Sequence, residues 1–176
     1  WQTVAQCRRI DALYSYVMDE DGTVYFERDA TSPTQIASVT KIMTGVVALD
    51  AVDQGLVSLT DHVIVSAAAA EVGESSAGLQ EGDMLTLQDA LYALLVPSGN
   101  DAAVTIAEYV GQALIDANGG GGAAVTAFCD AMNAKAAELD CVYTVYRNPH
   151  GLDDGEWTGD QHSCAADQAK VVQCAM

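Results

Sequence analysis

Cations are scarce in this chain. Its 176 residues hold seven Lys and Arg against 25 Asp and Glu, a formal charge of −18 at pH 7. A surface this acidic repels phosphate backbones and anionic lipid heads, so nucleic acid is excluded as a natural partner. Proline is sparse too, at three residues, and together with 15 glycines this suits a compact domain. Long apolar runs are missing: stretches such as Ala90 to Val96 fall far short of the roughly 20 residues needed to cross a bilayer. No signal-peptide pattern opens the chain, which begins at Trp1 without an initiator Met. A mature or trimmed polypeptide is expected, with membrane contact only through segments outside these residues.

Half of the chain is hydrophobic, 18% is charged, and the mean hydropathy is +0.13. That composition excludes a disordered polymer and a mini-protein held by disulfides alone. One domain of this length buries a proper core. Five cysteines stand at 7, 129, 141, 164 and 174. They form no C-x-x-C pair, and the three His are not spaced with them as zinc ligands, so neither a metal nor a cofactor is expected. Bridges Cys129–Cys141 and Cys164–Cys174 are one reading of the thiols. Small buried hydrophobes are the other.

Periodicity outlines mixed secondary structure. Ala12–Met18 and Thr23–Glu27 flank Asp19-Glu20-Asp21-Gly22 and read as a hairpin. Val39, Ile42, Met43, Val46 and Val47 mark one face of a helix that ends before Gly55. Val63–Val65 reads as a short strand. Thr86 and Asp89 form a capping box ahead of a helix with Leu87, Ala90, Leu91, Leu94 and Leu95 as its buried stripe, and Pro97 stops it. A second helix starts near Asp101 with Val104, Ala107, Val110 and Leu114 inward, and a third spans Ala123–Leu139. Val142–Tyr146 alternates like a strand, 147–163 is a polar loop, and the last dozen residues are helical. Separated strands among helices predict an α+β fold.

Two short motifs bear chemistry. Ser38-Val39-Thr40-Lys41 sets a hydroxyl and an amine three residues apart at a helix start, on one side of the first turn. Serine becomes a nucleophile only when a base removes its proton. Lysine is that base only where burial or a nearby cation lowers its pKa. Alone, S-x-x-K arises by chance about once in a chain this long, and Ser at a helix start is usually a cap. Ser98-Gly99-Asn100, sixty residues on, occupies the break after Pro97. Alone it is an ordinary turn. Beside Lys41, Ser98 would relay a proton and Asn100 would hydrogen-bond the lysine and a substrate backbone.

Together these phrases resemble the penicillin-binding proteins and serine β-lactamases, and more closely the low-molecular-mass D-alanyl-D-alanine carboxypeptidases of peptidase family S11. The likeness rests on Ala37-Ser38-Val39-Thr40-Lys41-Ile42-Met43-Thr44, on Pro97-Ser98-Gly99-Asn100-Asp101-Ala102-Ala103 at the end of the run from Gly82, on Met132-Asn133-Ala134-Lys135-Ala136, and on Asn148-Pro149-His150-Gly151-Leu152-Asp153. It runs from about Ile10 to the C-terminus. The resemblance implies a DD-peptidase-like (transpeptidase-like) α+β fold, an antiparallel sheet with a helical subdomain, as a single domain over residues 1–176. It implies an extracytoplasmic serine carboxypeptidase that removes the terminal D-alanine from peptidoglycan stem peptides and is acylated by β-lactam antibiotics. Ser38, Lys41, Ser98 and Asn100 are the implied catalytic residues; Ser38, Ser98, Asn100 and His150 the implied substrate contacts, with His150 either touching substrate or shaping its loop. The alternatives are a non-catalytic relative that binds wall peptides and a serine β-lactamase.

Two departures stand out. The family's K-T-G motif is absent, since Lys41, Lys135 and Lys170 are the only lysines and none precedes Thr-Gly. In relatives that strand supplies a second oxyanion donor and a cation for the substrate carboxylate. The 176 residues alone are therefore expected to be a poor enzyme, with the C-terminal strands of the domain lying elsewhere. The second departure is Cys164 before Ala165-Ala166-Asp167, where the family commonly has Thr, with a structural effect expected.

Overall fold

The computed structural model describes residues 11–153 and 160–176. Strands β1 (Ser15–Met18) and β2 (Val24–Arg28) pair antiparallel. The turn between them closes as the sequence predicts: the Asp19 carboxylate accepts from the Asp21 and Thr23 amides and from the Tyr25 hydroxyl. A 3₁₀ helix over Ala37–Val39 leads into α1 (Thr40–Asp53). Next come β3 (His62–Ile64), the short α2 (Ala67–Ala70), and β4 (Met84–Thr86), which pairs antiparallel with β3. Helices α3 (Leu87–Leu95), α4 (Asn100–Asn118), α5 (Ala124–Glu138) and α6 (Ala165–Ala175) complete the order. Among the described residues the result is α+β, with two small antiparallel sheets and six α-helices.

Helix α4 is the hub. It packs on α1, α2, α3, α5 and β3, while α6 lies across β1 and α1. The core gathers Met43, Leu87, Leu94, Ile106, Val110, Phe128, Met132 and Val171, all fully buried. Helix α1 departs from the one-faced pattern. Val39 is exposed, whereas Thr40, Lys41, Thr44 and Gly45 are buried along with Met43, Val46 and Val47. Surrounded by α3, α4, α5 and α6, it is enclosed on most sides, so its polar residues are interior. The α3 stripe is narrower than expected: Leu87, Ala90 and Leu94 are buried, but Leu95 is exposed.

Local signals at helix ends are realised. The Thr86 hydroxyl accepts from the Asp89 amide at 3.1 Å and donates to the Asp89 carboxylate at 2.6 Å. Thr86→Ala should lower stability by about 1 kcal/mol in urea unfolding, with little change in slope. Cys164 caps α6, its Sγ accepting from the Asp167 amide at 3.5 Å, which gives the residue in the place of Thr a structural role.

Val142–Tyr146 is not a strand. Only Val145 bridges, to His162. Side chains take backbone groups of the segment instead: Asp167 accepts from the Tyr143 amide, and Asn133 accepts from the Tyr146 amide and donates to its carbonyl. Alternation of residue types there reflects side-chain capture of the backbone, not a ladder. Nor do the proposed bridges form: Cys129, Cys141, Cys164 and Cys174 are all unpaired thiols. The first three are buried, and burial pushes the Cys129 and Cys141 thiols up to about 11. Cys7 lies outside the described residues. Among the described residues, no helix is long and apolar enough to cross a membrane.

Candidate active site

The first turn of α1, the α3–α4 corner and the 148–152 loop converge on one amine. Lys41 Nζ donates to Ser38 Oγ at 2.9 Å, to Ser98 Oγ at 3.2 Å and to the His150 carbonyl at 3.2 Å. An ammonium has three protons, and here three oxygens receive them. The lysine is only 2% exposed. Burial lowers its pKa from the ordinary value, and the charge of Asp101 pulls partly the other way. The three acceptors differ in kind. A carbonyl only accepts, whereas either hydroxyl can turn and donate. If Lys41 gives up one proton, its lone pair is therefore directed to Ser38 or Ser98 and not to His150.

Backbone strain sits beside both hydroxyls. Ser98 has φ +61° and Ala37, just before Ser38, has φ +44°. Non-glycine residues in the left-handed region cost roughly 1–3 kcal/mol and persist where the surroundings impose them. At the corner the neighbour is Gly99. A Cβ there would stand 2.6 Å from Asp101 Oδ1 and 2.8 Å from the Ala93 carbonyl, so the backbone approaches closer than a side chain permits. Near Ala37 it is Gly151, at φ +87°, whose missing Cβ would overlap the Ala37 carbonyl.

The 148–152 loop is built to present its carbonyls to α1. Asn148 Oδ1 accepts from the Gly151 and His150 amides, and its Nδ2 donates to the Leu152 carbonyl. Thr44 donates to the Pro149 carbonyl at 2.6 Å, one turn beyond Lys41. The His150 ring accepts from the Leu152 amide at 3.1 Å. His150 thus shapes its loop and reaches Lys41 through its main chain.

Asn100 does not contact Lys41 as expected. Its Nδ2 donates to the Gly73 carbonyl at 2.9 Å, its amide donates to the Ser75 carbonyl at 2.8 Å, and its buried Oδ1 has no partner. The physical reason is the 73–79 segment, which lies against the corner and takes the amide first. That segment also reveals Asp101, a residue that the sequence reading placed only at a helix start. Burial alone would raise its carboxyl. Hydrogen bonds from Ala77, Ser76, Leu79 and Ala102 outweigh that and hold it below the usual carboxylate value. An acid in a first helical turn is too common to single out from sequence. Thr44 closes the phrase that begins at Ala37, but its bond to a loop 105 residues away had no local signal.

No three His, Cys, Asp or Glu side chains converge as a metal site among the described residues. Ser38, Lys41 and Ser98 form a hydroxyl–amine–hydroxyl chain suited to acyl transfer. Comparison with known proteins agrees in kind. Residues 2–176 match the family profile described as D-alanyl-D-alanine carboxypeptidase. The chain is 32% identical over 143 residues to D-alanyl-D-alanine carboxypeptidase DacF of Bacillus subtilis, covering 81% of this chain and 34% of that one. It is 32% identical over 175 residues to DacC of Escherichia coli, covering 96% and 40%. Among solved structures, DacD of Francisella tularensis superposes with a TM-score of 0.80 at 30% identity, over 93% of this chain and 36% of that one. A mutant of the Streptomyces K15 DD-transpeptidase gives 0.79 at 29%, over 94% and 61%. The chain spans between about a third and two fifths of the length of these two curated relatives.

Proposed function

Because the chain belongs to the D-alanyl-D-alanine carboxypeptidase family, we propose that it carries the serine–lysine centre of an extracytoplasmic enzyme that removes the terminal D-alanine from peptidoglycan stem peptides. The observation that carries this reading is the buried Lys41 amine within hydrogen-bond reach of both Ser38 and Ser98. Ser38 Oγ attacks the carbonyl of the penultimate D-alanine while its proton passes to neutral Lys41. The Oγ–C bond forms, the C–N bond breaks, and the proton reaches the departing amine through Ser98. Water then hydrolyses the ester. The Ser38 amide is one oxyanion donor, a kind of contact worth roughly 100–1000-fold in rate. The Asn100 carboxamide and the His150 loop border the substrate backbone.

β-Lactams mimic the scissile amide and acylate the same oxygen. Benzylpenicillin should leave a stoichiometric adduct on the tryptic peptide carrying Ser38 in the full-length gene product, read by mass spectrometry. Release should be slow; rapid turnover of a chromogenic β-lactam would turn the reading to a β-lactamase. No adduct at all would favour a wall-peptide-binding relative. Among the described residues, Lys41 is the one cation bonded to the Ser38–Ser98 pair. The 176 residues alone should therefore acylate weakly, since they hold no K-T-G cation.

The pH dependence has a definite sign. Only the neutral amine accepts the Ser38 proton, so acylation rises with pH as Lys41 deprotonates. Burial places the midpoint below the ordinary lysine value of 10.5. Stopped-flow acylation rates across about pH 5 to about pH 9 check this, and a flat profile would remove Lys41 as the base.

A further inference from the structure

Asp101 begins one helix but is bound mainly by another segment. It is 3% exposed. Its carboxylate accepts from the Ser76 hydroxyl at 2.6 Å, from the Ala77 amide at 3.0 Å on each oxygen and from the Leu79 amide at 3.1 Å. A single donor, the Ala102 amide at 2.8 Å, comes from its own helix. Helix-terminal acids normally face water and act through the dipole; this one ties down a neighbouring stretch of chain.

What that stretch does is visible at Asn100. The Gly73 carbonyl receives Asn100 Nδ2 and the Ser75 carbonyl receives the Asn100 amide. With Nδ2 committed, Oδ1 is left as a buried acceptor without a partner. The 73–75 stretch has little of its own to hold it. Gly73, Glu74 and Ser75 are all exposed, and Gly73 and Glu74 have φ +76° and +57°. The charged anchor begins one residue later, at Ser76, and is the Asp101 carboxylate. Hydrogen bonds to a buried charge are about twice as strong as neutral ones, so this clamp ties the segment to α4 more firmly than the neutral bonds of Asn100 do.

We propose that Asp101 is the positioning residue of this site: it clamps residues 76–79 to the α3–α4 corner, keeps the Gly73 carbonyl on the Asn100 amide, and so fixes the Asn100 carboxamide at the corner beside Ser98, where it meets the amide of a bound substrate. The substrate half of this statement rests on the proposed acyl-transfer function; the clamp does not.

The test compares two β-lactams in the full-length gene product. Benzylpenicillin carries a side-chain amide at C6, whereas penicillanic acid has no nitrogen there. Asp101→Asn keeps the shape but sets an N–H against the donors of the 76–79 segment. It should slow acylation by benzylpenicillin about 10–100-fold, the scale of a misplaced contact, and by penicillanic acid less than about threefold. In an Asn100→Ala background the same substitution should cost little, because its effect runs through that amide. Equal losses with both compounds, or full additivity with Asn100→Ala, would overturn the proposal. Ser76→Ala removes one exposed donor without threatening the fold and should show the same selectivity at about two- to fivefold. Should the wild type resist acylation altogether, the functional reading fails. The clamp is then judged by hydrogen exchange at the Ala77 and Leu79 amides. They should be protected in the wild type and should exchange at least tenfold faster in Asp101→Asn; unchanged exchange would overturn it.

Discussion

Lys41→Met is expected to cut acylation at Ser38 by about 10⁴-fold, the upper range for loss of a positioned general base. Methionine is unbranched and apolar, so it fills the enclosed channel that the lysine stem occupies, where only 2% of the residue is exposed. What disappears is the amine that binds Ser38, Ser98 and the His150 carbonyl at once. Ser38 then has no proton acceptor, and its hydroxyl is left at ordinary alcohol reactivity. Ser98→Ala should cost less, about 10–100-fold, because it interrupts delivery of the proton to the leaving group but spares the base. Quenched-flow labelling with a fluorescent penicillin measures both. A loss below tenfold for Lys41→Met would mean that another group activates the serine.

Gly151→Ala should also be damaging although it removes nothing. The added Cβ would overlap the Ala37 carbonyl and lie 2.9 Å from Thr40 Oγ1, in a backbone conformation with φ +87°. Neither partner can retreat cheaply. Ala37 is itself held at φ +44° directly before Ser38, and the two loop carbonyls just before Gly151, those of Pro149 and His150, are bonded into α1. We expect a stability loss of about 3–4 kcal/mol and, in the folded fraction, at least about 100-fold slower acylation as Ser38 and the His150 carbonyl move apart. Gly22→Ala is the control. Its φ of +81° is similar, but nothing lies within 4 Å of the missing Cβ. It should cost only about 1–2 kcal/mol and leave acylation unchanged. Equal losses at the two positions would show that the contact with Ala37 is immaterial.

The acid pocket of Asp101 illustrates where sequence reading stops. Its type and its place in the first turn of α4 were plain, but three residues of another segment make it a clamp. Asn100 shows the same limit from the other side. Its neighbours in sequence pointed to Lys41, while packing delivered the Gly73 carbonyl instead. The expected strand at Val142–Tyr146 failed for a related reason. Alternation reports which residues face two sides, but Asn133 and Asp167 had already claimed the backbone.

What the sequence by itself determined is the set of short-range decisions: the hairpin around Asp19, the capping box of Thr86 and Asp89, the helices, and the placing of Ser38 and Lys41 on adjacent rungs. Each depends on residues within one or two turns of one another, where periodicity and cap chemistry act directly. Only the tertiary structure decided what the amine faces. Its partners Ser98 and the His150 carbonyl lie 57 and 109 residues away. Such contacts arise when enclosed helices bring loop carbonyls, a strained corner and a buried carboxylate to one place. No local pattern encodes them, because the free energy that selects them is the burial and hydrogen bonding of the assembled core.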